Sequence, residues 1–365
     1  MQTIPTTIAK TSIGKNTLYC ARIEVYMKRE ITTIKDIART LGLSPSTVSR
    51  ALRDSYEISE ETKKLVLAYA NKINYKPNPI ALSLKERRTY TIGIVLSEIA
   101  NNFYSQVIDG VDTIAYQKGY QVVVSQTHES FELEKMIISN FGSRAIDGLL
   151  VALSANATDI SYLKELHESG LPIVFFDRVT NEIDTHKVII DNFQSSFNIT
   201  EHLINKGKKK IVHITNSSHL SNTIERLAGY KAALEKHNIP FDPELVKYCE
   251  DTGNIATDLQ QVIQDILDTN SDGLFIANDR LTTGSLLALK RTNPEKLKNL
   301  GIAGYTNSNL MELIAPELDV VYQPAFEMGQ TATRLLLDLI EAKRPVTEFE
   351  TITLQSEVVH FDSVQ

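Results

Sequence analysis

Apolar runs of strand length alternate with amphipathic helical stretches from Thr91 onward, and no other property of the sequence restricts the possible folds as much. The apolar runs are residues 92–96, 121–125, 148–153, 173–176, 188–190, 210–214, 273–277 and 301–305. The helical stretches are residues 103–118, 131–141, 160–168, 195–206, 224–236, 256–267 and 281–290. This alternation predicts parallel sheets with helices on both faces. One sheet rarely holds so many units, so we predict two doubly wound subdomains with a ligand cleft at the carboxyl ends of their strands.

The amino-terminal part of the chain predicts short helices joined by a tight turn. Thr33 is placed to cap the first helix, which has an apolar stripe at helical spacing and ends at Gly42. Ser44 as N-cap and Pro45 at the first helical position begin a second helix that covers residues 46–52.

A third helix is predicted to begin at Ser59 and to complete an all-α helix-turn-helix unit. Its inward residues are expected to be Leu65, Val66, Tyr69 and Ile73.

The charge distribution separates this unit from the rest of the chain. Residues 28–88 hold 13 basic and 7 acidic side chains, whereas residues 89–365 hold 22 basic and 37 acidic ones. A basic block on an acidic body is typical of a nucleic-acid-binding module joined to a separate domain, although a solvated helical surface has the same composition.

The second helix presents small polar and basic residues outward, as a helix in the DNA major groove does. Arg50 can form two hydrogen bonds to the edge of guanine, and Thr47 and Ser49 suit phosphate oxygens. The alternative is a helical bundle that serves only for packing.

The sequence resembles the LacI family of bacterial regulators over nearly the whole chain after residue 30. In the amino-terminal part the similar stretches are residues 33–38, 44–52, 58–62, 74–78 and 80–84. In the body they are residues 91–95, 147–150, 177–178, 191–192, 226–230, 278–279 and 328–329, in the family's order and spacing. The resemblance implies a repressor that binds a palindromic DNA operator as a homodimer. It also implies a periplasmic-binding-protein-like body that controls this binding allosterically through a small molecule, a sugar or sugar derivative.

The resemblance also implies which residues contact DNA. Pro45, Ser46 and Arg50 would read bases, and Leu84 in a hinge helix would enter the minor groove at the operator centre. A packing role is the alternative for Leu84. The complete predicted DNA-binding set is Thr33, Ser44, Pro45, Ser46, Thr47, Ser49, Arg50, Asn78, Leu82 and Leu84, with Leu82 at a position where the family often has arginine.

The implied effector site lies in the cleft of the body. Aromatic rings would stack on a sugar, while carboxylates and guanidinium groups would bond to its hydroxyl groups. The predicted residues are Phe103, Tyr104, Arg178, Asp191, Arg226, Asp279 and Asn307. Asn307 is included because Thr306 stands where the family often has aspartate; Asp191 could instead be a surface or capping charge.

These patterns predict four segments. Residues 1–30 are expected to be a disordered extension, residues 31–77 the helix-turn-helix domain, and residues 78–90 the hinge helix and linker. Residues 91–365 are expected to form the effector-binding and dimerisation domain. Its first subdomain would hold residues 91–190 and 323–347, and its second would hold residues 191–322 and 348–365.

Other function classes have weaker support in the sequence. A sugar-binding receptor of the periplasmic-binding-protein class, without DNA function, is the main alternative, but it needs export and no secretory signal is visible. An enzyme is less expected still, because catalytic and nucleotide-binding motifs are missing. We therefore expect no catalytic residues, no cofactor, no metal and a cytoplasmic location. His128 and Glu129 are interpreted as surface residues of a polar loop.

Overall fold

A computed structural model describes residues 33–75, 88–143, 146–157, 159–249, 255–268 and 270–360. The chain divides between residues 81 and 82 into two compact units. The predicted extension at residues 1–30 and the predicted hinge helix lie outside the described residues.

The amino-terminal unit contains three helices with the predicted starts, α1 (Ile34–Leu41), α2 (Pro45–Ala51) and α3 (Glu60–Lys72). Thr33 and Asp36 form a reciprocal capping box at the start of α1, and Gly42 ends it at a φ of 66°. Ser44 accepts a hydrogen bond from the third residue of its helix, so the cap-and-proline start of α2 is confirmed.

A small apolar core joins these helices. Its fully buried members are Ile37, Ala38, Val48, Ala51 and Val66. The predicted inward position of Leu65 is wrong, because this side chain is 51% exposed. Burial along α3 follows the spacing of Lys63, Val66 and Ala70, which turns the neighbouring leucine toward solvent.

The second unit contains two six-stranded sheets. The first sheet has the order β11-β5-β4-β3-β1-β2 and the second β12-β10-β9-β8-β6-β7, with strands numbered along the chain. They are β1 (Thr91–Leu96), β2 (Gln121–Gln126), β3 (Gly148–Val151), β4 (Ile173–Phe176), β5 (Lys187–Ile190), β6 (Ile211–Thr215), β7 (Val246–Tyr248), β8 (Gly273–Ile276), β9 (Gly301–Tyr305), β10 (Leu318–Tyr322), β11 (Thr351–Leu354) and β12 (Glu357–His360). All pairings are parallel except that of β12 with β10.

Helices connect the strands and cover the sheets, together with a short 3-10 helix (Pro243–Leu245). They are α4 (Asn102–Gln117), α5 (Phe131–Ser143), α6 (Ser161–Glu168), α7 (Asn192–Asn205), α8 (Ser221–Lys236), α9 (Ile255–Asp268), α10 (Asp279–Thr292), α11 (Pro294–Asn299), α12 (Met311–Ile314) and α13 (Ala325–Glu341). Among the helices in the described part of the chain, none is both long and apolar enough to cross a membrane.

Both faces of each sheet are buried. In β1, Ile94 belongs to one apolar cluster and its neighbour Val95 to another. In β8, the neighbours Leu274 and Phe275 likewise belong to two different apolar clusters. Successive side chains of a strand point to opposite faces, so helices must cover both faces of each sheet, and the predicted doubly wound architecture is confirmed.

The predicted subdomain boundary near the carboxyl terminus is wrong. Residues 348–365 are predicted to lie in the second subdomain, but Thr351–Leu354 pairs with Lys187–Ile190 in the first sheet. Only Glu357–His360 joins the second sheet, antiparallel to Leu318–Tyr322. The chain therefore crosses between the sheets three times, after β5, after β10 and after β11.

Two glycines allow α4 and α13 to pack closely in the first subdomain. A Cβ atom at Gly329 would lie 2.1 Å from the carbonyl oxygen of Val107, and one at Gly110 would lie 2.1 Å from that of Phe326. Because the obstructing atoms belong to the backbone, a larger side chain would force the helices apart.

We expect Gly329→Ala to lower the free energy of unfolding by about 1–3 kcal/mol, as overpacking does. Gly142→Ala on α5 is the matched control, because its Cβ would meet only the movable end of Leu166. Thermal or urea unfolding of the two variants measures the difference. Equal stability of both variants would contradict the close packing of the helices.

Candidate functional site

The residues predicted to read DNA lie at the start of α2 and along its outer face. Ser44, Pro45, Ser46 and Arg50 are exposed, and Thr47 and Ser49 are half-buried. Ser44 Oγ lies 2.7 Å from Ser46 Oγ and 2.8 Å from Thr47 Oγ1, so the three hydroxyl groups form one hydrogen-bonded set. Thr33 is exposed at the start of α1 and is engaged in its capping box.

The side chain of Arg50 is held by an acidic partner that the sequence analysis did not identify. Arg50 Nε lies 3.1 Å from Glu57 Oε2, and both side chains are about half exposed. An exposed ion pair of this kind contributes little stability. The remaining predicted DNA-binding residues, Asn78, Leu82 and Leu84, lie outside the described residues.

In the second unit, a cleft lies at the carboxyl ends of the strands of both sheets and contains a partly open cavity of about 60 Å³. Five of the predicted effector-binding residues line it, and they are Phe103, Tyr104, Arg178, Arg226 and Asp279. Further lining segments follow the strands β1, β2, β6, β7 and β10, as expected for open α/β sheets.

A buried ion pair forms one wall of the cleft. Arg178 Nη1 donates to both carboxylate oxygens of Glu129, at 2.9 and 2.7 Å, and both side chains are only 9% exposed. Burial tends to raise the pKa of Glu129, but the charge and hydrogen bonds of Arg178 hold it below its ordinary value. The interpretation of Glu129 as a surface residue is therefore wrong.

Beside this pair, Tyr104 donates a hydrogen bond of 2.9 Å to Asp177 Oδ2. Burial, with the negative charge of Asp177, raises the pKa of Tyr104 well above its ordinary value, so the phenol stays protonated. The ring of Phe103 packs edge-on against Tyr104 at 5.1 Å between centroids. The two rings thus form a fixed aromatic corner at the start of α4.

On the opposite wall, three contacts hold the guanidinium group of Arg226. Its Nε donates to Asn192 Oδ1 at 2.9 Å, and its Nη1 donates to the carbonyl oxygen of Ala277. The group also lies over the ring of Tyr305, 3.9 Å from the centroid. These contacts fix Arg226 before any ligand arrives.

Asp279 is the first residue of α10 and is 5% exposed. Its Oδ1 accepts a hydrogen bond from the hydroxyl group of Thr306. The threonine at this position therefore orients the neighbouring carboxylate.

Two predicted effector-binding residues are not among those that line the cleft. Asp191 accepts a hydrogen bond from Gln194 N and caps α7, which is the alternative role predicted for it. Asn307 is buried between the subdomains, where its amide donates to Gln106 Oε1 at 2.7 Å and to the carbonyl oxygen of Gln323 at 2.8 Å. Asn307 thus links the first subdomain to the second.

Two further contacts connect the walls of the cleft. Arg280 Nη1 lies 3.7 Å from Glu98 Oε2, and Asn222 Nδ2 lies 3.5 Å from Asp177 Oδ1. Each contact joins a residue of the second subdomain to one of the first. Their strength depends on how far the subdomains close on each other.

Glu129 and Asp177 are two buried acidic residues among the lining residues that sequence reasoning missed. Each follows a strand of the first sheet, β2 and β4 respectively, so the rule that placed ligands after strands would have found both. Both have a positive φ, 59° and 58°, which the sequence does not reveal for an acidic residue.

Comparison with known proteins gives two family matches. Residues 33–78 match the family described as bacterial regulatory proteins, lacI family, and residues 92–344 match the periplasmic binding protein domain. The chain is 31% identical to the HTH-type transcriptional regulator RegA of Clostridium saccharobutylicum, over 90% of this chain and 99% of that protein.

Two solved structures extend the comparison. A LacI family transcriptional regulator from Enterococcus faecium with bound ribose is 27% identical, covers 74% of this chain and 96% of its own, and has a TM-score of 0.63. A complex of the transcriptional regulator CelR with cellobiose is 26% identical, covers 90% of this chain and 98% of its own, and has a TM-score of 0.64.

Removing the charge of Glu129 should leave Arg178 buried without its partner. We expect Glu129→Gln to lower the free energy of unfolding by about 3–5 kcal/mol at pH 7. Because the folded pKa lies below the ordinary value of 4.5, the advantage of the wild type is present above that value and is lost as the pH falls through the folded pKa.

Glu182→Gln is the control, because Glu182 and Lys164 form an exposed pair at 2.7 Å. Its loss should change stability by about 0–1 kcal/mol. Unfolding measured between pH 3 and pH 7 compares the two variants. A Glu129→Gln effect as small as that of the control would refute a stabilising role for the buried pair.

Proposed function

Since the chain belongs to the lacI family of bacterial regulatory proteins and is a DNA-binding transcriptional regulator, we propose that it is a repressor whose affinity for a palindromic operator is set by a single-ring sugar. The observation that carries this proposal is the combination of an exposed recognition helix with a polar cleft in the body, lined by both carboxylate and guanidinium groups.

In this proposal α2 lies in the major groove with its amino-terminal turn at the base edges. Pro45 and Ser46 offer few hydrogen bonds to bases, so Arg50 supplies most of the selectivity of the helix. Thr47 and Ser49, with Thr33 and Ser44 at the helix starts, contact phosphate oxygens. Arg50 is paired with Glu57 in the DNA-free protein, and this exposed pair is weak enough for the guanidinium group to exchange it for a base.

We further propose a homodimer, because one recognition helix contacts only a few base pairs. Residues 78–90, with Asn78, Leu82 and Leu84, would form the hinge that contacts the minor groove between the two half-sites. The supporting observation for this hinge is the similarity of residues 80–84 to the family pattern.

The cleft favours a neutral polyhydroxyl ligand. The charge of Arg178 is already balanced by Glu129, so the cleft does not offer that arginine to an anion. Asp279 and Arg226 are buried and held in place, and each keeps hydrogen-bonding groups beyond those used within the protein. Carboxylate and guanidinium groups can each bond to two neighbouring hydroxyls of a sugar.

The cavity between the two walls of the cleft is small. Its volume of about 60 Å³ favours a compact ligand such as one sugar ring over a longer chain of sugars. Relatives of known structure hold ribose in one case and cellobiose in another, so both sizes occur among similar proteins. We propose a monosaccharide for this chain.

Binding in the cleft would draw the subdomains together through Arg226 and Asp279 on one side and the aromatic corner on the other. The contacts Glu98–Arg280 and Gln106–Asn307 join the same halves and would shorten or break as the halves move. Effector and operator then change each other's affinity by the same factor.

For DNA reading, we expect Arg50→Ala to cost about 1–3 kcal/mol on a DNA fragment that the protein selects from a random pool. Arg39→Ala is the control, because Arg39 is an 82% exposed arginine on α1. Gel-shift titrations on selected and random DNA measure the effect. Equal losses on both DNAs for Arg50→Ala would show that this arginine does not read sequence.

For the effector, a thermal-shift screen of monosaccharides, D-ribose included, and of cellobiose should identify a monosaccharide that raises the melting temperature. Asp279→Asn should abolish the response of DNA affinity to that sugar and leave sugar-free DNA affinity unchanged. Asp191→Asn is the matched control, because asparagine caps a helix as well as aspartate does, and its response should persist. A full response in Asp279→Asn would refute the assignment of the cleft.

A further inference from the structure

A cluster of two histidines and one aspartate lies in the second subdomain, at the end of its sheet away from the cleft. Asp319 is near the amino end of β10, His360 is its antiparallel partner at the end of β12, and His202 comes from the last turn of α7. The cleft is at the carboxyl ends of the parallel strands, so this cluster is separate from the effector site.

The three side chains bring their potential ligand atoms close together. One ligand atom from each lies within 4.8 Å of the other two. His360 Nδ1 is 2.8 Å from Asp319 Oδ1, and His202 Nε2 is 3.2 Å from the same oxygen. The Nε2 atom of His202 is buried and does not meet the geometry of a hydrogen bond. A buried imidazole nitrogen that faces a carboxylate oxygen without forming a hydrogen bond can share a cation with that oxygen.

From this convergence we propose that His202, Asp319 and His360 form a binding site for a divalent transition-metal ion of the Zn²⁺ class. Two imidazole nitrogens and one carboxylate oxygen are ligands that such ions prefer, and a water molecule would complete four-coordination. The ion would tie the carboxyl-terminal strand β12 to α7 and β10.

A lysine already supplies a positive charge at this carboxylate. Lys206 Nζ lies 2.8 Å from both oxygens of Asp319, whose side chain is only 4% exposed. The lysine side chain is 45% exposed, so its ammonium group has open solvent to move into. An entering ion would displace it and keep the buried carboxylate neutralised.

One of the two stacked histidine rings must turn before both can bind the same ion. The imidazoles of His202 and His360 are stacked, 3.7 Å between centroids and 12° between planes. The lone pair of an imidazole nitrogen lies in the plane of its ring, so two parallel rings cannot share one ion. His360 has the more exposed side chain, at 42% against 25%. It is therefore the ring that turns, while its strand pairing stays.

The test is a calorimetric titration of the chelator-treated full-length protein with Zn²⁺ alone. We expect one ion per chain and a zinc-dependent rise in melting temperature. His202→Gln and His360→Gln should each weaken binding by at least about tenfold. His128→Gln removes an exposed histidine far along the chain from the cluster and should bind like the wild type.

Lys206→Met separates a metal site from a simple charge network. If the cluster is a metal site, removal of the competing ammonium group should strengthen zinc binding several-fold. If it is only a charge network, the variant loses an ion pair and zinc binding does not increase. Far-UV circular dichroism confirms that each variant is folded. The proposal is overturned if the wild type does not bind zinc or if both histidine variants bind it equally well. Weaker binding by Lys206→Met would overturn the displacement.

Discussion

The geometry of the body depends on the parallel pairing of its two sheets. Parallel strands bring all their carboxyl ends to one edge, and the loops after these ends carry the buried charges of both walls. Three crossings of the chain link the sheets. The cleft is therefore a consequence of topology, and its residues, from Ser97 to Gln323, need no proximity in sequence.

Burial of charge in that cleft is costly unless each charge has a partner. Glu129 neutralises Arg178, the phenol of Tyr104 donates to Asp177, and Thr306 donates to Asp279. These internal partners fix the side chains in place while leaving hydrogen-bonding capacity for a ligand. A preorganised polar site of this kind suits an uncharged polyhydroxyl molecule, because hydroxyl groups can donate to the carboxylates and accept from the guanidinium groups.

The two ends of the second sheet carry different groups of polar residues. At the carboxyl end its loops face the cleft, whereas at the amino end Asp319 is buried among Lys206, His202 and His360. Residues 202, 319 and 360 are far apart along the chain, so their meeting depends on the antiparallel addition of β12 beside β10. This strand is the exception to the parallel pattern, and it creates the cluster.

Local structure and the class of the molecule follow from the amino-acid sequence alone. Capping residues and hydrophobic periodicity depend on neighbours a few positions away, so the helices of the amino-terminal unit and the βα alternation could be read directly. The tertiary structure sets which side chains are buried and which residues far apart in the sequence contact each other. It buried Glu129 against Arg178, exposed Leu65, used Asn307 as a link between the subdomains, and placed Thr351–Leu354 in the first sheet. Each of these depends on contacts between segments remote in sequence, for which local patterns carry no signal.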